Sequence, residues 1–384
     1  MRIALVFLML TVATAASAQW DIQDSGTKAS LRGIHSLGKG IAWASGTEGT
    51  VLRTEDGGVT WQHCTIPPGA EKLDFRGVQG FDAKTAIVMS SGTGDLSRLY
   101  ATNDGCQTWT LVFTNPDKDG FWDAIASPAF EPPGKSRSLL LLGDPTSAHC
   151  LNLWKVLRTE TGTWQHERQF GKVLRLPSNP STRETAFAAS NSSLVLLLPE
   201  AWFRYGIWFA GGGGPGGGYF FGEGPKCPQG DGSFCGEKIP VGESSATSGV
   251  FSIAFATRPK HLRGFYSSRA DVVAVGGDYT KPDDASAAAA YSVDWGRHWD
   301  RAATQPHGFR SAVAYDASAK TWITVGPNGT DISTDDGRNW RALKPGPTDA
   351  PDADKNWNAL SLPFVVGPHG RIGVLRPSAL SAKP

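Results

Sequence analysis

One short motif recurs along the chain and constrains its fold more than any other feature. The pattern is Ser/Thr-x-Asp-x-Gly-x-(Thr/His/Asn)-Trp, known as an Asp-box. It suits a β-hairpin turn, because Asp can accept backbone N–H groups across the turn and Gly can take a positive φ. The Trp then begins the next strand and packs into the core. We interpret these acids as structural; the copies are Asp56 with Trp61, Asp104 with Trp109, Asp294 with Trp299, and Asp335 with Trp340, and a worn copy ends at Trp164.

Short apolar strands start at seven places between these motifs: Leu31, Phe75, Trp122, Glu184, Phe251, Phe309 and Trp357. Four strands in each of seven units predict an all-β fold, a seven-bladed β-propeller of four-stranded antiparallel blades. The last unit supplies only three strands, whereas Gln19–Gln23 looks like a strand that follows an Asp-box. We therefore expect the N-terminal strand to close the ring as the outermost strand of the seventh blade.

The first 18 residues have the pattern of a signal peptide. Arg2 precedes an apolar run, and Ala16-Ser17-Ala18 forms an A-x-A site, so we expect cleavage between Ala18 and Gln19. The mature protein is then secreted or periplasmic, and residues 19–384 form one propeller domain with a long Gly-rich loop at 210–242. No apolar run is long enough to span a bilayer.

The chain has five cysteines: Cys64, Cys106, Cys150, Cys227 and Cys235. Cys227 and Cys235 bracket the Gly-rich region and could close a small disulfide in an oxidising compartment. The other three show no metal-like spacing, which leaves buried small residues or one further pair.

Composition and motifs exclude several functional classes. The chain has 37 Lys+Arg against 36 Asp+Glu, so its net charge cannot attract a polyanion, and 40% hydrophobic residues argue against disorder. It lacks GxxxxGK[ST] and a GxGxxG after a strand, and its eight His form no metal-ligand spacing. We expect no cofactor, no metal and no nucleic-acid partner.

Six segments carry a resemblance to a known family: Gly143–Pro145, Gly249–Phe255, Val275–Pro282, Gly308–Tyr315, Val325–Asp331 and Val366–Ile372. With the Asp-boxes, they make the chain similar to the plant and cyanobacterial photosystem II stability/assembly factors and their bacterial relatives, often labelled BNR-repeat or sialidase-like proteins. The resemblance covers nearly all of the mature chain and is closest to the exported bacterial branch. In photosynthetic members it implies a non-catalytic scaffold that helps to assemble a membrane complex.

In a propeller, the loops entering the innermost strands and those between second and third strands share one face, here called the funnel face. Three arginines there would suit a carboxylate or an acidic peptide, and the assembly-factor relatives also carry an arginine-rich patch. Alternatively the charges pair with each other, with Arg310 bound to Asp278 or Asp144. The candidate binding residues on this face are Arg32, Arg76, Arg310, Asp123, Asp144, Asp278, Tyr279 and Lys281.

A sialidase-like glycoside hydrolase is the alternative function. Its arginine triad would be Arg32, Arg76 and Arg310, with Tyr279 as nucleophile and Asp123 or Asp144 as the acid. The Arg-Ile-Pro signature is absent, however, and no convincing Tyr–Glu pair is visible. We therefore expect a monomeric, non-catalytic propeller that binds a protein or peptide partner, such as an envelope or membrane complex, through the funnel face.

Overall fold

The computed structural model describes residues 19–127, 137–147, 150–159, 163–170, 185–197, 206–214, 217–222, 235–262 and 265–380. The regular elements in these ranges are β-strands and three short 3-10 helices, at Gly94–Leu96, Asn191–Ser193 and Pro377–Leu380. None of the described helices is long and apolar enough to cross a membrane. Three sequence predictions fall outside the described residues: the signal peptide at 1–18, the strand start at Glu184 and a disulfide involving Cys227.

The strands form six antiparallel sheets, five of them four-stranded. Strand β1 (Trp20–Gln23) comes first in the chain and belongs to the last sheet. Sheet I contains β2 (Leu31–Gly38), β3 (Ile41–Gly46), β4 (Val51–Thr54) and β5 (Gln62–His63). Sheet II contains β6 (Phe75–Gly80), β7 (Ala86–Ser90), β8 (Arg98–Thr102) and β9 (Thr110–Thr114). Sheet III contains β10 (Trp122–Ala126), β11 (Arg137–Ser147), β12 (Cys150–Arg158) and β13 (Trp164–Phe170).

The remaining strands form one wide sheet and two ordinary ones. Sheet IV contains β14 (Leu194–Leu197), β15 (Gly206–Gly214), β16 (Gly217–Gly222), β17 (Cys235–Ile239), β18 (Ser248–Leu262), β19 (Phe265–Asp278), β20 (Ala289–Ser292) and β21 (Asp300–Arg301). Sheet V contains β22 (Ala312–Asp316), β23 (Thr321–Gly326), β24 (Gly329–Ser333) and β25 (Arg341–Ala342). Sheet VI contains β26 (Ala359–Ser361), β27 (Phe364–Val366), β28 (Ile372–Leu375) and β1.

Because sheet IV has eight strands, the number of blades differs from the predicted one. Its two antiparallel meanders, β14–β17 and β18–β21, join where Gly212 pairs with Gly249. A Cβ on either glycine would lie only 2.6 Å from the Cα of the other, so glycine is what lets the two strands meet. The all-β propeller of antiparallel sheets is confirmed, but the prediction of seven four-stranded blades is wrong, because the described residues form six blades, one of which, sheet IV, has eight strands.

The predicted Gly-rich loop at 210–242 is also wrong over much of its length. Strands β15, β16 and β17 all contain residues of this segment. Here glycine provides space between strands: a Cβ on Gly211 would lie 2.2 Å from the Thr185 carbonyl oxygen, and one on Gly218 would lie 2.6 Å from the Val250 side chain. A run of glycines in this chain therefore marks close strand packing.

The N-terminal strand completes sheet VI as predicted. Strand β1 pairs antiparallel with β28, from Trp20 opposite Leu375 to Gln23 opposite Ile372. The Trp20 indole is buried, packs 6.0 Å from the Trp357 ring and donates to the Thr330 hydroxyl at 3.1 Å. The two ends of the described chain are thus joined within one sheet.

The hydrophobic core lies between neighbouring sheets. Leu31 and Leu52 of sheet I pack with Phe364 and Ile372 of sheet VI, for example, and further clusters fill the other junctions. Each sheet therefore buries apolar side chains on two sides, which explains why the central strands read as nearly continuous apolar runs.

The four Asp-box segments share one hydrogen-bonded turn. In each, the Ser or Thr hydroxyl donates to Asp Oδ1 at 2.8–2.9 Å, and the residue four positions after the Asp donates both its backbone N–H and its side chain to the carboxylate. Hydrogen bonds from Thr60 and Thr108 lower the pKa of Asp56 and of Asp104 to about 2. The carboxylates are committed to the turns, as a structural role requires.

A disulfide between Cys64 and Cys106 links sheets I and II. Cys64 follows β5, and Cys106 lies in the Asp-box turn after β8. Cys106 takes a positive φ of 65° at the position where another copy has Gly58, with a φ of 90°. A cysteine whose disulfide joins neighbouring sheets thus occupies a turn position that would otherwise favour glycine.

Candidate functional site

The innermost strands begin on one side of the ring, here called the strand-start side. In four of these strands a bulge follows the first residues, and the residues at the bulges are Arg32, Arg76, Asp123 and Phe251. Since the bulges have the same register, these residues occupy equivalent positions around the ring. Two of the three predicted arginines and one predicted acid therefore lie at matching places.

Arg32 and Arg76 are brought together by Asp74, and we call these two the arginine pair. Arg76 Nε donates to Asp74 Oδ2 at 2.8 Å, while Arg32 Nε lies 3.8 Å from Asp74 Oδ1. Arg76 Nη1 also donates to the Ala188 carbonyl oxygen at 3.1 Å. The two side chains remain 33% and 28% exposed. Burial lowers the pKa of Arg32, and the charge of Arg76 acts in the same direction while Asp74 opposes it.

Asp123 is a buried acid that interacts electrostatically with Arg76. It is 2% exposed, and its Oδ2 has no hydrogen-bond partner. Burial raises the pKa of Asp123 well above its usual range; the nearby Asp144 raises it further, and Arg76 lowers it. The arrangement favours a carboxyl group that keeps its proton, which limits its ability to neutralise Arg76.

The structure does not bring Arg310 to the arginine pair. Its guanidinium is fully buried, donates through Nε and Nη2 to Asp331 Oδ2, and donates through Nη1 to Asn328 and to the Phe309 carbonyl oxygen. The predicted pairing of Arg310 with Asp278 or Asp144 is replaced by the pair with Asp331. His307 binds the other oxygen of Asp331, with Nδ1 at 2.6 Å.

Strand register explains the difference. The Arg310 backbone N–H donates to the Gly276 carbonyl oxygen at 3.0 Å, just as the Leu31 N–H donates to Gly367 at 3.0 Å. Arg310 therefore corresponds to buried Leu31, and Ser311 corresponds to Arg32. A shift of one residue turns a side chain to the opposite side of a strand.

Of the predicted residues, Asp278 ends β19, and Tyr279 and Lys281 follow it. Asp278 accepts from the backbone N–H of Thr280 at 3.0 Å and from its hydroxyl at 2.7 Å, and it lies 3.9 Å from Lys281 Nζ. Tyr279 is 51% exposed. This turn presents an aromatic ring and an ammonium group beside a carboxylate that is largely buried.

Sequence reasoning missed Asp74 and His307. Asp74 lies immediately before the strand start at Phe75, within a loop that enters an innermost strand, so the rule that selected Arg76 could have found it. His307 precedes Phe309 in the same kind of loop. Both organise charged neighbours that were selected from the sequence.

This geometry bears on the alternative function. A sialidase triad needs three guanidiniums directed at one substrate carboxylate, but Arg310 is already saturated by Asp331, Asn328 and Phe309. Within the described ranges, no three His, Cys, Asp or Glu side chains are grouped to hold a metal ion. The arrangement of Arg32 and Arg76 is suited to binding an anionic group.

Comparisons with known proteins bear on the fold. No protein-family model matches the sequence, and no curated protein matches it. Among solved structures, YCF48 bound to a D1 peptide aligns with a TM-score of 0.56 and 14% identity, over 94% of this chain and 97% of that chain. YCF48 from Cyanidioschyzon merolae gives 0.55 and 15%, over 94% and 100%.

A third similar structure is the extracellular domain of a hybrid two-component system from B. thetaiotaomicron. It aligns with a TM-score of 0.53 and 13% identity, over 93% of this chain but 40% of that chain. YCF48 is a photosystem II assembly factor, so the resemblance drawn from the sequence is confirmed at the level of the fold. The chain has a YCF48-like β-propeller fold.

Proposed function

We propose that the chain is an exported, non-catalytic propeller that binds a protein or peptide partner through its strand-start side, the funnel face of the sequence analysis. The observation that carries the proposal is the arginine pair. Two partly exposed guanidiniums occupy equivalent positions of adjacent sheets around one shared carboxylate. The solved complex of YCF48 with a D1 peptide supports the proposal, because a propeller of this fold binds a peptide.

The charges favour an acidic ligand. Asp74 can neutralise the charge of one guanidinium of the arginine pair. The raised pKa of Asp123 limits the ability of this second acid to neutralise the other guanidinium. Guanidinium groups bind carboxylates through paired, charge-assisted hydrogen bonds. The group recognised is therefore an acidic side chain or a terminal carboxylate of the partner.

Export is supported by two features. The N-terminal residues have the pattern of a cleavable leader. The disulfide between Cys64 and Cys106 is of a kind that persists in oxidising compartments and is rare in the cytosol.

The test compares the partners captured by the wild-type protein and by an Arg32→Ala/Arg76→Ala variant from crosslinked envelope extracts. Arg341→Ala is the matched control, since this exposed arginine lies on the outermost strand of sheet V. We expect the double variant to lose a captured protein that the control retains, with the loss reproduced in wild type at high salt because exposed charges are screened. Identical captured proteins in all three samples contradict the proposal.

A further inference from the structure

We propose that the strand-start side carries a second subsite, formed by Phe187, Phe251, Phe309 and Tyr279, which binds an aromatic or bulky apolar side chain of the same peptide. We call these four residues the aromatic stack. The inference rests on the proposed function and names its ligand class: an extended peptide with an acidic group for the arginine pair and an apolar side chain for the stack.

The four rings form a continuous cluster. Phe187 stacks on Phe251, with ring centroids 4.0 Å apart and planes at 9°. Phe251 meets Phe309 edge to face at 4.7 Å and Tyr279 edge to face at 6.0 Å. Phe251 and Phe309 are buried, whereas Tyr279 is the one aromatic among the exposed large apolar side chains of the described residues. The cluster thus exposes the Tyr279 ring to solvent, while the buried Phe rings beneath it are packed against one another.

Two glycines leave space for the Phe187 ring of this cluster. A Cβ on Gly212 would lie 3.2 Å from Phe187 Cε2, and a Cβ on Gly249 would lie 3.1 Å from the same atom. These are the residues that join the two halves of sheet IV. The position of Phe187 is therefore fixed by the backbone, which gives the subsite a defined shape before any ligand binds.

The aromatic stack adjoins the arginine pair. Phe251 occupies the same bulge position in β18 that Arg32 and Arg76 occupy in β2 and β6. Arg76 donates to the carbonyl oxygen of Ala188, the residue immediately after Phe187. The arginine pair and the aromatic stack are therefore connected through one hydrogen bond, close enough for one peptide to contact both.

The turn beside Tyr279 carries one cation, Lys281, among the carboxylates of Asp278, Asp283 and Asp284. Lys281 is 60% exposed, whereas the carboxylate that it faces, Asp278, is 9% exposed. The aromatic ring is therefore bordered by an accessible ammonium group. The preference for an acidic peptide therefore rests on the arginine pair and not on this turn.

The experiment uses fluorescein-labelled hexapeptides that end in Asp and consist otherwise of Ala, with one Phe moved through each position in turn. Binding to the full chain is followed by fluorescence anisotropy. We expect one Phe position to bind at least fivefold more tightly than the all-Ala parent. Tyr279→Ala should remove this preference, so that the Phe peptide binds no more tightly than the parent, whereas Arg76→Ala should weaken both peptides by the same factor.

Two controls isolate the ring. Tyr279→Phe keeps the aromatic face and should keep the preference, and Leu111→Ala removes an equally exposed apolar side chain from the outer strand of sheet II and should change nothing. The aromatic subsite is overturned if no Phe position improves on the parent, or if Tyr279→Ala retains the preference. If the wild-type protein binds none of the peptides, the result contradicts the proposed function itself, and the subsite with it.

Discussion

At the scale of single residues, Arg310 shows how a buried charge depends on its partner. Its guanidinium and Asp331 are both completely buried, and His307 contacts the second oxygen of the carboxylate. Removing Asp331 leaves the buried guanidinium without the carboxylate that accepts its hydrogen bonds, whereas removing Arg310 leaves a carboxylate that still accepts the backbone N–H of His307. The acid is therefore the more sensitive member of the pair.

We expect Asp331→Ala to lower the free energy of unfolding by about 3–5 kcal/mol. Arg310→Met should cost less, because Met fills much of the same volume and Asp331 keeps His307. Urea unfolding followed by tryptophan fluorescence measures both. Equal losses in the two variants would show that the charge of Arg310 is not what makes this site sensitive.

His35 gives a second prediction at this scale. Its Nδ1 accepts the backbone N–H of Gly80 at 3.1 Å, and burial lowers the pKa of the imidazole to about 4 from the ordinary 6.5. Between these values the unfolded chain binds a proton that the folded protein excludes. The free energy of unfolding should therefore fall as the pH is lowered from 6.5 towards 4.

The variant His35→Gln should lack this decrease, since its side chain does not titrate. A separate loss of stability should remain between pH 3.8 and 2 in both proteins, because Asp56 and Asp104 have a pKa of about 2 in the folded state. Denaturation midpoints across pH 2 to 8 distinguish the two windows. If the variant and wild type lose stability in parallel from pH 6.5, His35 is not the titrating group.

These residues mark the limit of what sequence could predict about the site. Arg32 and Arg76 were selected because each follows a large apolar residue at a strand start, and the structure brings them together around Asp74. Arg310 met the same criterion, but a register shift of one residue buried it. Sequence patterns locate strands to within a residue or two, and that error is enough to exchange a surface arginine for a core one.

At the scale of elements, β1 contributes far more than its four residues suggest. Trp20 is buried against Trp357 and bonded to Thr330, so it connects sheet VI to sheet V. We expect Trp20→Ala to lower the free energy of unfolding by about 3–5 kcal/mol, and deletion of Trp20–Gln23 to lower the melting temperature further. Scanning calorimetry provides the measurement, and an unchanged melting temperature after the deletion would rule out a stabilising role for the closure.

The sequence predicts the positions of strands well where apolar runs alternate with turn residues, and poorly where glycine is abundant. The strand starts at Leu31, Phe75 and Trp122 were placed correctly. Because glycine usually marks turns, the sequence predicts a loop for the segment at 210–242. Its strands follow instead from contacts with residues such as Thr185 and Val250, which local sequence does not reveal.

At the scale of the whole molecule, the disulfide between Cys64 and Cys106 couples sheets I and II. It spans a sequence separation of 42 residues, and closing a loop of that size stabilises the folded state by roughly 4 kcal/mol in the chain-entropy model. We expect Cys64→Ser to lose most of this. Cys106→Ser should be less stable than Cys106→Gly by about 1 kcal/mol, because glycine tolerates the positive φ. Chemical denaturation ranks the stabilities of these three variants. If Cys106→Gly is no more stable than Cys106→Ser, the positive φ at this position does not favour glycine.

Counting repeats gave the architecture but not the number of sheets. Seven strand starts implied seven separate blades, yet two meanders meet through Gly212 and Gly249 and leave six sheets. Whether neighbouring units hydrogen-bond depends on how closely two backbones approach. That approach depends on residues 37 positions apart in sequence, which a repeat pattern does not compare.

The pairing of β1 with β28 also determines when the ring can be completed during synthesis. Residue 20 pairs with residue 375, so strand β1 has no native sheet to join until the later residue has been synthesised. Loop closure over such a distance is slow compared with the formation of local hairpins. Until then the nascent chain carries an unpaired strand and an incomplete sheet VI. Polypeptides released before residue 372 should aggregate, even though most of their sheets can already form.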